Sequence, residues 1–300
     1  MGNTQWCGIP FDERSWNANF RGEDAMLTRA QHEAHGVQER MKADDVYDEV
    51  VAELRVNGYA ILESGFSPDF TEGLKASLAR AYAKQVGEIG GDDVLRRMQD
   101  ADVARCILAY EPDFMVVATA PSLIELAKRV LGSEFVLMQQ NGIVNRPDRE
   151  NYLAKWHRDL SYQHWTSSKP LAINALFCID DFTFENGATF VLPGTHHVAG
   201  FPPDRFVQRY EKQIAASSGS YLILDGMLFH RGGINRSANL RRAVNHLIGL
   251  PFMAQQIDIP SALASTGARV PDGDAIRKYL GYRWSPASDV TDWRSRRMPK

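Results

Sequence analysis

The feature that most constrains the fold is a succession of short apolar runs in the second half of the chain. Five runs are rich in β-branched, aromatic and leucine residues, and they cover residues 135–144, 171–180, 189–192, 220–224 and 242–250. Turn signals such as Asn186-Gly187, Pro193-Gly194 and Asp225-Gly226 separate several of them. Because no long helical pattern lies between them, the runs favour an antiparallel sandwich or barrel over a parallel sheet. The chain also lacks the GxGxxG and Walker patterns of nucleotide-binding sheets.

The first half of the chain has helical periodicity instead. Residues 44–57 carry apolar side chains at near-helical spacing, and Gly58 follows where a C-terminal cap is expected. Ser67 and Pro68 are typical of a helix start, here for residues 70–85. A strand is predicted at residues 59–62 and a further helix at 121–131. The predicted fold class is therefore mainly β with flanking helices.

The chain contains no internal repeat and no low-complexity segment. Residues 1–40 are polar and predict an N-terminal arm, whereas residues 41–300 predict a single domain. Within this domain we expect helical support at about 41–133, a β core at about 134–252 and a C-terminal segment at 253–300. Residues 196–219 form a long polar insertion between two predicted strands, and loops of this length are often functional.

Composition narrows the classes of partner and compartment. The net charge of −3 gives no basic field, so we expect no nucleic-acid partner. No apolar run reaches the roughly 18–20 residues that cross a bilayer, and residues 1–19 lack a secretory signal. Cys7, Cys106 and Cys178 are widely spaced and fit reduced thiols in a cytoplasmic protein, Cys178 as a core residue and none as a nucleophile. The expected partner is a small-molecule substrate, with the oligomeric state left open.

Three residues form a candidate metal site. His157 and Asp159 are two positions apart, and on a strand such residues point to the same face. His230, which follows an apolar strand and a turn, is the best third ligand. Two histidines and one carboxylate are the ligand set of non-haem iron(II) oxygenases and leave open positions on the metal. An HxD pair alone is a weak signal, because a solvated loop with a hydrogen-bonded histidine gives the same pattern.

Arg241 strengthens the prediction of a functional site. It lies eleven residues after His230, at the start of a predicted strand. A co-substrate with a distal carboxylate needs a bidentate cation, and arginine has that geometry. A surface salt bridge is the alternative role, and the neighbouring Arg242 shares the ambiguity. Strand alternation places only one of the two side chains inside.

Four segments together resemble the phytanoyl-CoA dioxygenase family of Fe(II)/2-oxoglutarate-dependent oxygenases. They are Trp-His-Arg-Asp-Leu at 156–160, Glu-Asn-Gly-Ala-Thr at 185–189 running into Leu-Pro-Gly-Thr-His at 192–196, His230 with Asn235, and Arg241 at its spacing from His230. The resemblance covers about residues 57–282. It implies a double-stranded β-helix (jelly-roll, cupin-like) core. It also implies that His157, Asp159 and His230 bind Fe(II), and that Arg241 binds the C5 carboxylate of 2-oxoglutarate.

Further roles follow from the same resemblance. Asn174 is expected to contact the co-substrate, with a buried structural role as the alternative. Gln139, preferred over its neighbour Gln140, is expected to contact the co-substrate or the substrate. Tyr162 and Trp165 are candidate substrate contacts because they follow Asp159 closely in the sequence, and a packing role is the alternative for each. Arg158 stands where relatives often carry glutamine, and alternation directs it away from the metal, toward a neighbouring loop. His196, in its Pro-Gly-Thr-His segment, is expected to be structural.

The activity implied is hydroxylation of an unactivated C–H bond in a small-molecule metabolite, with O2 consumed and succinate and CO2 released. Asp159 supports hydroxylation, because halogenating relatives carry a small residue in place of the acid. Two alternatives remain. A cupin-like zinc or manganese hydrolase or isomerase could use the same three ligands, but it would not need Arg241. A binding protein on the same scaffold would need neither metal nor 2-oxoglutarate.

Overall fold

In the part of the chain that the structure describes, nine strands form two antiparallel sheets. The computed structural model describes residues 35–147, 154–160 and 166–298. The larger sheet has the strand order β1-β7-β4-β9-β3-β2, and the smaller has the order β6-β5-β8. The strands are β1 Tyr59–Glu63, β2 Val103–Arg105, β3 Val136–Asn145, β4 Ala172–Cys178, β5 Phe190–Val191, β6 Lys212–Gln213, β7 Ser220–Asp225, β8 His230–Arg231 and β9 Arg241–Gly249.

Helices cover the outer face of the larger sheet. Alternate residues of β4 and β7, such as Phe177 and Tyr221, join one apolar core with buried helix residues such as Leu54, Leu74 and Leu123. This burial stabilises the sheet on one side. The helices are Val46–Asn57, Pro68–Ile89, Asp92–Arg97, Pro112–Ala118, Pro121–Leu131, Asp204–Tyr210, Ile259–Thr266, Asp274–Tyr279 and Val290–Ser295.

The inner face of the larger sheet packs against the smaller sheet. Leu176 of β4 and Leu222 and Leu224 of β7 form a second buried cluster with Val191 of β5. The side chains alternate between the two cores because successive strand residues point to opposite faces. Two facing antiparallel sheets with helices outside are the predicted jelly-roll architecture.

Local sequence signals explain the helix boundaries. The Asp45 side chain accepts a hydrogen bond from the Asp48 N–H, and Gly58 ends this helix with φ 83°. Ser67 caps the next helix by accepting from the Phe70 N–H. The helices predicted at 44–57, 70–85 and 121–131 agree with the structure to within a few residues, and so do the strands.

The segment at 196–219 differs from the predicted irregular insertion. It contains a 3-10 turn at Thr195–His197, the helix Asp204–Tyr210 and strand β6. Strand β6 pairs with β5, so the segment supplies part of the smaller sheet. The helix is only seven residues long, which gives too few turns for a clear periodic signal.

Residues Met41–Lys300 cluster as one compact unit by their contacts. Most of the predicted N-terminal arm lies outside the described residues, and residues 35–40 are exposed and without regular secondary structure. Within the described ranges, no helix combines the length and apolar character that crossing a bilayer requires.

Candidate metal centre

His157 and His230 lie beside each other because their backbones pair. They form an isolated antiparallel bridge, in which each N–H donates to the carbonyl of the other at 3.0 Å. Asp159 follows in a bend, where its N–H donates to the carbonyl of Gly226 at 3.2 Å. The prediction that His157 and Asp159 share a strand is wrong. One bridge and one loop contact hold the two residues instead.

The three predicted ligands meet at one point. One ligand atom each of His157, Asp159 and His230 lies within 4.8 Å of the others, and His230 Nε2 is 3.8 Å from Asp159 Oδ2. Nδ1 of His157 lies 2.8 Å from the Lys155 carbonyl, and Nδ1 of His230 lies 3.0 Å from the Leu228 carbonyl. A proton on each Nδ1 leaves Nε2 as the nitrogen that can bind a metal.

The electrostatic environment keeps His157 neutral. Burial lowers the pKa of His157, and the neighbouring His230 lowers it further, against an opposing effect of Asp159. A neutral imidazole is the form that binds metals. The donor set therefore fits a divalent ion such as Fe(II), Mn(II) or Zn(II).

Asn174 contacts the acidic member of this site. Its Nδ2 donates to Asp159 Oδ2 at 2.9 Å. The side chain lies on β4 and is 2% exposed, so the amide is held in place by its surroundings. Asn174 was predicted to contact the co-substrate; that role stays a prediction, whereas the structure shows it orienting Asp159.

A cavity of about 700 Å³ connects the three ligands to Arg241. The Arg241 side chain is buried, its Nε has no hydrogen-bond partner, and its guanidinium lies 4.2 Å from the ring centre of Phe182. Burial lowers the pKa of Arg241 to about 10, so it is cationic at neutral pH. Among the described residues, no carboxylate forms an ion pair with it. Arg242 points the other way and pairs with Asp180 at 3.0 Å.

Strand β3 divides its two glutamines between the two faces. Gln139 lines the cavity. Gln140 is buried on the opposite face, where its Nε2 donates to the Phe114 carbonyl at 2.8 Å and lies 2.9 Å from His246 Nε2. A bulge between Leu137 and Gln139 precedes this alternation. The position of Gln139 permits a co-substrate contact, which stays a prediction.

Gly187, Asn145 and Asn235 hold in place the segment that follows His230. Gly187 has φ 80°, and a side chain there would meet the carbonyl oxygen of Gly233 at 2.4 Å. Asn145 Nδ2 donates to the same carbonyl at 2.9 Å. Asn235 Nδ2 donates to the carbonyls of Asn145 and Asn239 at 2.9 and 2.7 Å. These contacts fix the path of the chain between the third ligand and Arg241.

Arg158 contacts a neighbouring loop, as expected. Its guanidinium donates to the carbonyls of Thr195, Val198 and Ala199, at 2.9 Å for Thr195 and 3.2 Å for Ala199. It also stacks 3.9 Å from the ring centre of Phe229. Because Arg158 lies between the candidate ligands His157 and Asp159 in the sequence, it ties the segment that carries them to the turn at 195–199.

His196 and the described cysteines have no direct place in the site. Tyr162 and Trp165 lie outside the described residues. His196 is buried with Nε2 3.2 Å from the Arg55 carbonyl, and burial lowers its pKa. Cys106 and Cys178 are buried free thiols. Burial raises the pKa of Cys178 to about 12 and that of Cys106 to about 11, so neither is a nucleophile.

A set of polar cavity residues was not predicted from the sequence. Arg105, Asn141 and Asn245 all line the cavity. Alternation along β3 could have identified Asn141 as facing the same side as Gln139. The strand pairing that brings the three together is long-range, and a single sequence contains no signal for it.

Comparison with known proteins agrees with this architecture. The family described as phytanoyl-CoA dioxygenase matches residues 54–243. The uncharacterized protein Rv1501 of Mycobacterium tuberculosis is 29% identical over 223 residues, which are 72% of this chain and 80% of that protein. Dioxygenase af480 of Aspergillus fumigatus is 26% identical over 182 residues, 56% of each chain. The solved structure of the non-heme monooxygenase ThoJ, in apo form, has a TM-score of 0.54 at 16% identity and covers 67% of this chain and 77% of its own, which supports the fold.

Proposed function

Because the chain belongs to the phytanoyl-CoA dioxygenase family, we propose that it is an Fe(II)- and 2-oxoglutarate-dependent dioxygenase. It hydroxylates a C–H bond of a small molecule and releases succinate and CO2. One observation carries the proposal: His157, Asp159 and His230 converge in the same cavity as a buried arginine, Arg241. The relatives named as dioxygenases support the general oxygenase class.

The donor set suits iron that must keep open positions. Two imidazoles and one carboxylate form a facial triad, which leaves half of an octahedral ion available. When bound there, Fe(II) together with 2-oxoglutarate supplies the activation of O2 that C–H hydroxylation requires. The protein orients this set through the Nδ1 contacts of His157 and His230 and through the hydrogen bond from Asn174 to Asp159.

Arg241 favours 2-oxoglutarate over the alternatives. A buried cation is costly unless an anion pairs with it. No carboxylate of the described residues pairs with Arg241, and its Nε has no hydrogen-bond partner. The distal carboxylate of 2-oxoglutarate would satisfy both requirements. A zinc or manganese hydrolase or isomerase with the same ligands has no need for this cation, and a binding protein has no need for the three ligands.

Anaerobic reconstitution with Fe(II) and 2-oxoglutarate tests the proposal. The wild type should develop the metal-to-ligand absorption band of the bound pair, and turnover with O2 should yield succinate. Arg241→Ala should weaken 2-oxoglutarate binding at least about tenfold, because a charge-assisted bidentate contact is lost. Arg242→Ala is the matched control, since this neighbour faces away and pairs with Asp180.

The alternatives predict other outcomes. A wild type that binds zinc or manganese and shows no 2-oxoglutarate band would support a hydrolase or isomerase. Metal-free protein without affinity for 2-oxoglutarate would support a binding protein. Equal loss in Arg241→Ala and Arg242→Ala would remove the role proposed for Arg241.

A further inference from the structure

Arg105 also lines the cavity, on the wall formed by β2 and β3. Strand register places Arg105 opposite Asn141, and Asn141 opposite Asn245 of β9. With its amide oxygen turned toward Arg105, Asn141 accepts a hydrogen bond from Nη1 at 3.1 Å. The side chains of Arg105, Asn141 and Asn245 therefore form a polar row across this wall. The row begins at Arg105, whose side chain is 31% exposed, and ends at Asn245.

The guanidinium of Arg105 already holds a carboxylate. Nε of Arg105 lies 3.1 and 3.2 Å from the two oxygens of Asp100, and Nη2 donates to the same carboxylate. The Asp100 side chain is 26% exposed. Partly exposed ion pairs contribute little to stability, because solvent screens them and both side chains lose freedom. A carboxylate of a ligand can therefore take the place of Asp100.

The segment that carries Asp100 has unusual backbone geometry. Gln99 and Asp102, on either side of it, have backbone φ angles of 59° and 65°. Residues other than glycine rarely adopt such positive values. Met98 and Gln99 line the same cavity. Backbone of this kind is concentrated at ligand clamps and active sites, where the surrounding structure holds it in place.

The far end of the row has an unsatisfied acceptor. Asn245 is 8% exposed, and its Oδ1 is buried without a hydrogen-bond partner. Buried polar atoms nearly always form hydrogen bonds, so we expect a bound molecule to donate a hydrogen bond to this oxygen. The cavity of about 700 Å³ lies in the size range of ligand sites and exceeds what one five-carbon dicarboxylate fills.

We propose that Arg105 anchors the substrate, and that the substrate is a small carboxylic acid. Its carboxylate displaces Asp100 from Arg105, and a hydroxyl or amine of the same molecule donates to Asn245. This inference rests on the proposed function, in which Arg241 holds the co-substrate and Arg105 holds the substrate. The polar row does not suit a long hydrocarbon chain.

A paired panel of compounds tests the substrate class. The 300-residue chain loaded with Fe(II) and 2-oxoglutarate is exposed to O2 with small α-hydroxy and α-amino acids, and separately with the primary amide of each acid. Succinate release is measured for every pair. The acids should accelerate release, and their amides should not, because only the acids offer a carboxylate to Arg105.

Two variants test the residues. Arg105→Gln should raise the KM for an accelerating acid at least about tenfold, while the affinity for 2-oxoglutarate in the anaerobic band assay stays within about twofold. Asp100→Asn should lower that KM, because the competing carboxylate is removed. Arg96→Gln is the control, since Arg96 is a surface arginine that pairs with Asp92 outside the cavity.

Several outcomes would overturn the proposal. These are a panel in which no acid outperforms its amide, an unchanged KM in Arg105→Gln, or a raised KM in Asp100→Asn. The last result would mean that Asp100 itself binds a cationic or hydroxylic substrate. A wild type without the 2-oxoglutarate band would instead contradict the proposed function, so the two failures are distinguishable.

Discussion

His157 and His230 are joined by their backbones as well as by the site they share. Each N–H donates to the carbonyl of the other at 3.0 Å, and the two rings lie 4.4 Å apart between centres. The bridge brings together two side chains that are far apart in the sequence. Since it is made by main-chain atoms, it does not depend on the imidazoles. Metal binding and folding are therefore separable at this position.

His157→Ala should abolish Fe(II) binding and leave the fold intact. The variant loses one of three ligands but keeps the backbone bridge, so the free energy of unfolding of the metal-free protein should change by less than about 1 kcal/mol. Anaerobic Fe(II) titration and urea denaturation measure the two effects. His197→Ala is the control, because this histidine is exposed and lies outside the set of three ligands, with its ring against His196 and its Nε2 3.2 Å from the Arg55 carbonyl. Retained stoichiometric iron binding in His157→Ala would contradict the assignment.

The residues of the candidate metal site could be predicted from local sequence. The backbone bridge that holds two of them in place could not. The residues His157, Asp159, His230 and Arg241 stand out by type and spacing, and the structure brings them to one cavity. The bridge that aligns the two histidines connects segments far apart in the chain. Long-range pairing of this kind depends on the whole fold, so no short motif encodes it.

The secondary structure was likewise predicted where the local sequence signal is clear and not predicted where the element is short. Helices that end at a glycine, such as Val46–Asn57 before Gly58 and Pro121–Leu131 before Gly132, were predicted to within two residues. Short elements such as Asp92–Arg97 and β2 were not predicted. The helix has six residues, which is less than two turns, and the strand has three residues, which is too few for a clear alternation. β2 bears on the proposed substrate site, because Arg105 lies on this strand and lines the cavity.

Asn174→Leu should weaken metal binding through Asp159. The variant removes the donor that holds Oδ2 at 2.9 Å and keeps a side chain of similar size. Loss of such a supporting hydrogen bond lowers metal affinity about 10–100-fold. Fe(II) titration measures this loss. At saturating Fe(II), the affinity for 2-oxoglutarate should be close to that of the wild type. A variant with normal iron affinity and weakened 2-oxoglutarate binding would instead make Asn174 a co-substrate contact.

Arg158→Gln should destabilise the protein by about 3 kcal/mol. Arg158 is 3% exposed, and its guanidinium donates to three carbonyls of the turn at 195–199. Hydrogen bonds from charged groups contribute about 1.5–3 kcal/mol each, and glutamine is too short and too poor in donors to replace them all. Urea denaturation of the metal-free protein measures the change. Arg55→Gln, at a more exposed arginine, is the comparison, and equal effects of the two substitutions would contradict the role given to Arg158.

Asp225→Asn should stabilise the protein, and more strongly at higher pH. Asp225 is 4% exposed, and burial raises its pKa from 3.8 to about 6, although the Met227 N–H donates to it at 2.8 Å. Between about pH 4 and pH 6, the Asp225 carboxyl is therefore protonated in the folded state and ionised in the unfolded state. Wild-type stability decreases as the pH rises across this range and has lost the full contribution above about pH 6. The full loss is about 3 kcal/mol, since one pKa unit corresponds to about 1.4 kcal/mol.

Asparagine does not ionise and can still accept from Met227, so the variant avoids this loss. Urea denaturation at pH 4.5 and 7.5 gives the difference in unfolding free energy between variant and wild type at each pH. About 2 kcal/mol of the loss develops between these two values, because part of it is already present at pH 4.5. The variant's advantage should therefore be about 2 kcal/mol larger at pH 7.5. Asp272→Asn, at an exposed bend, controls for the change in net charge. An equal advantage at both pH values would mean that Asp225 keeps an ordinary pKa despite its burial.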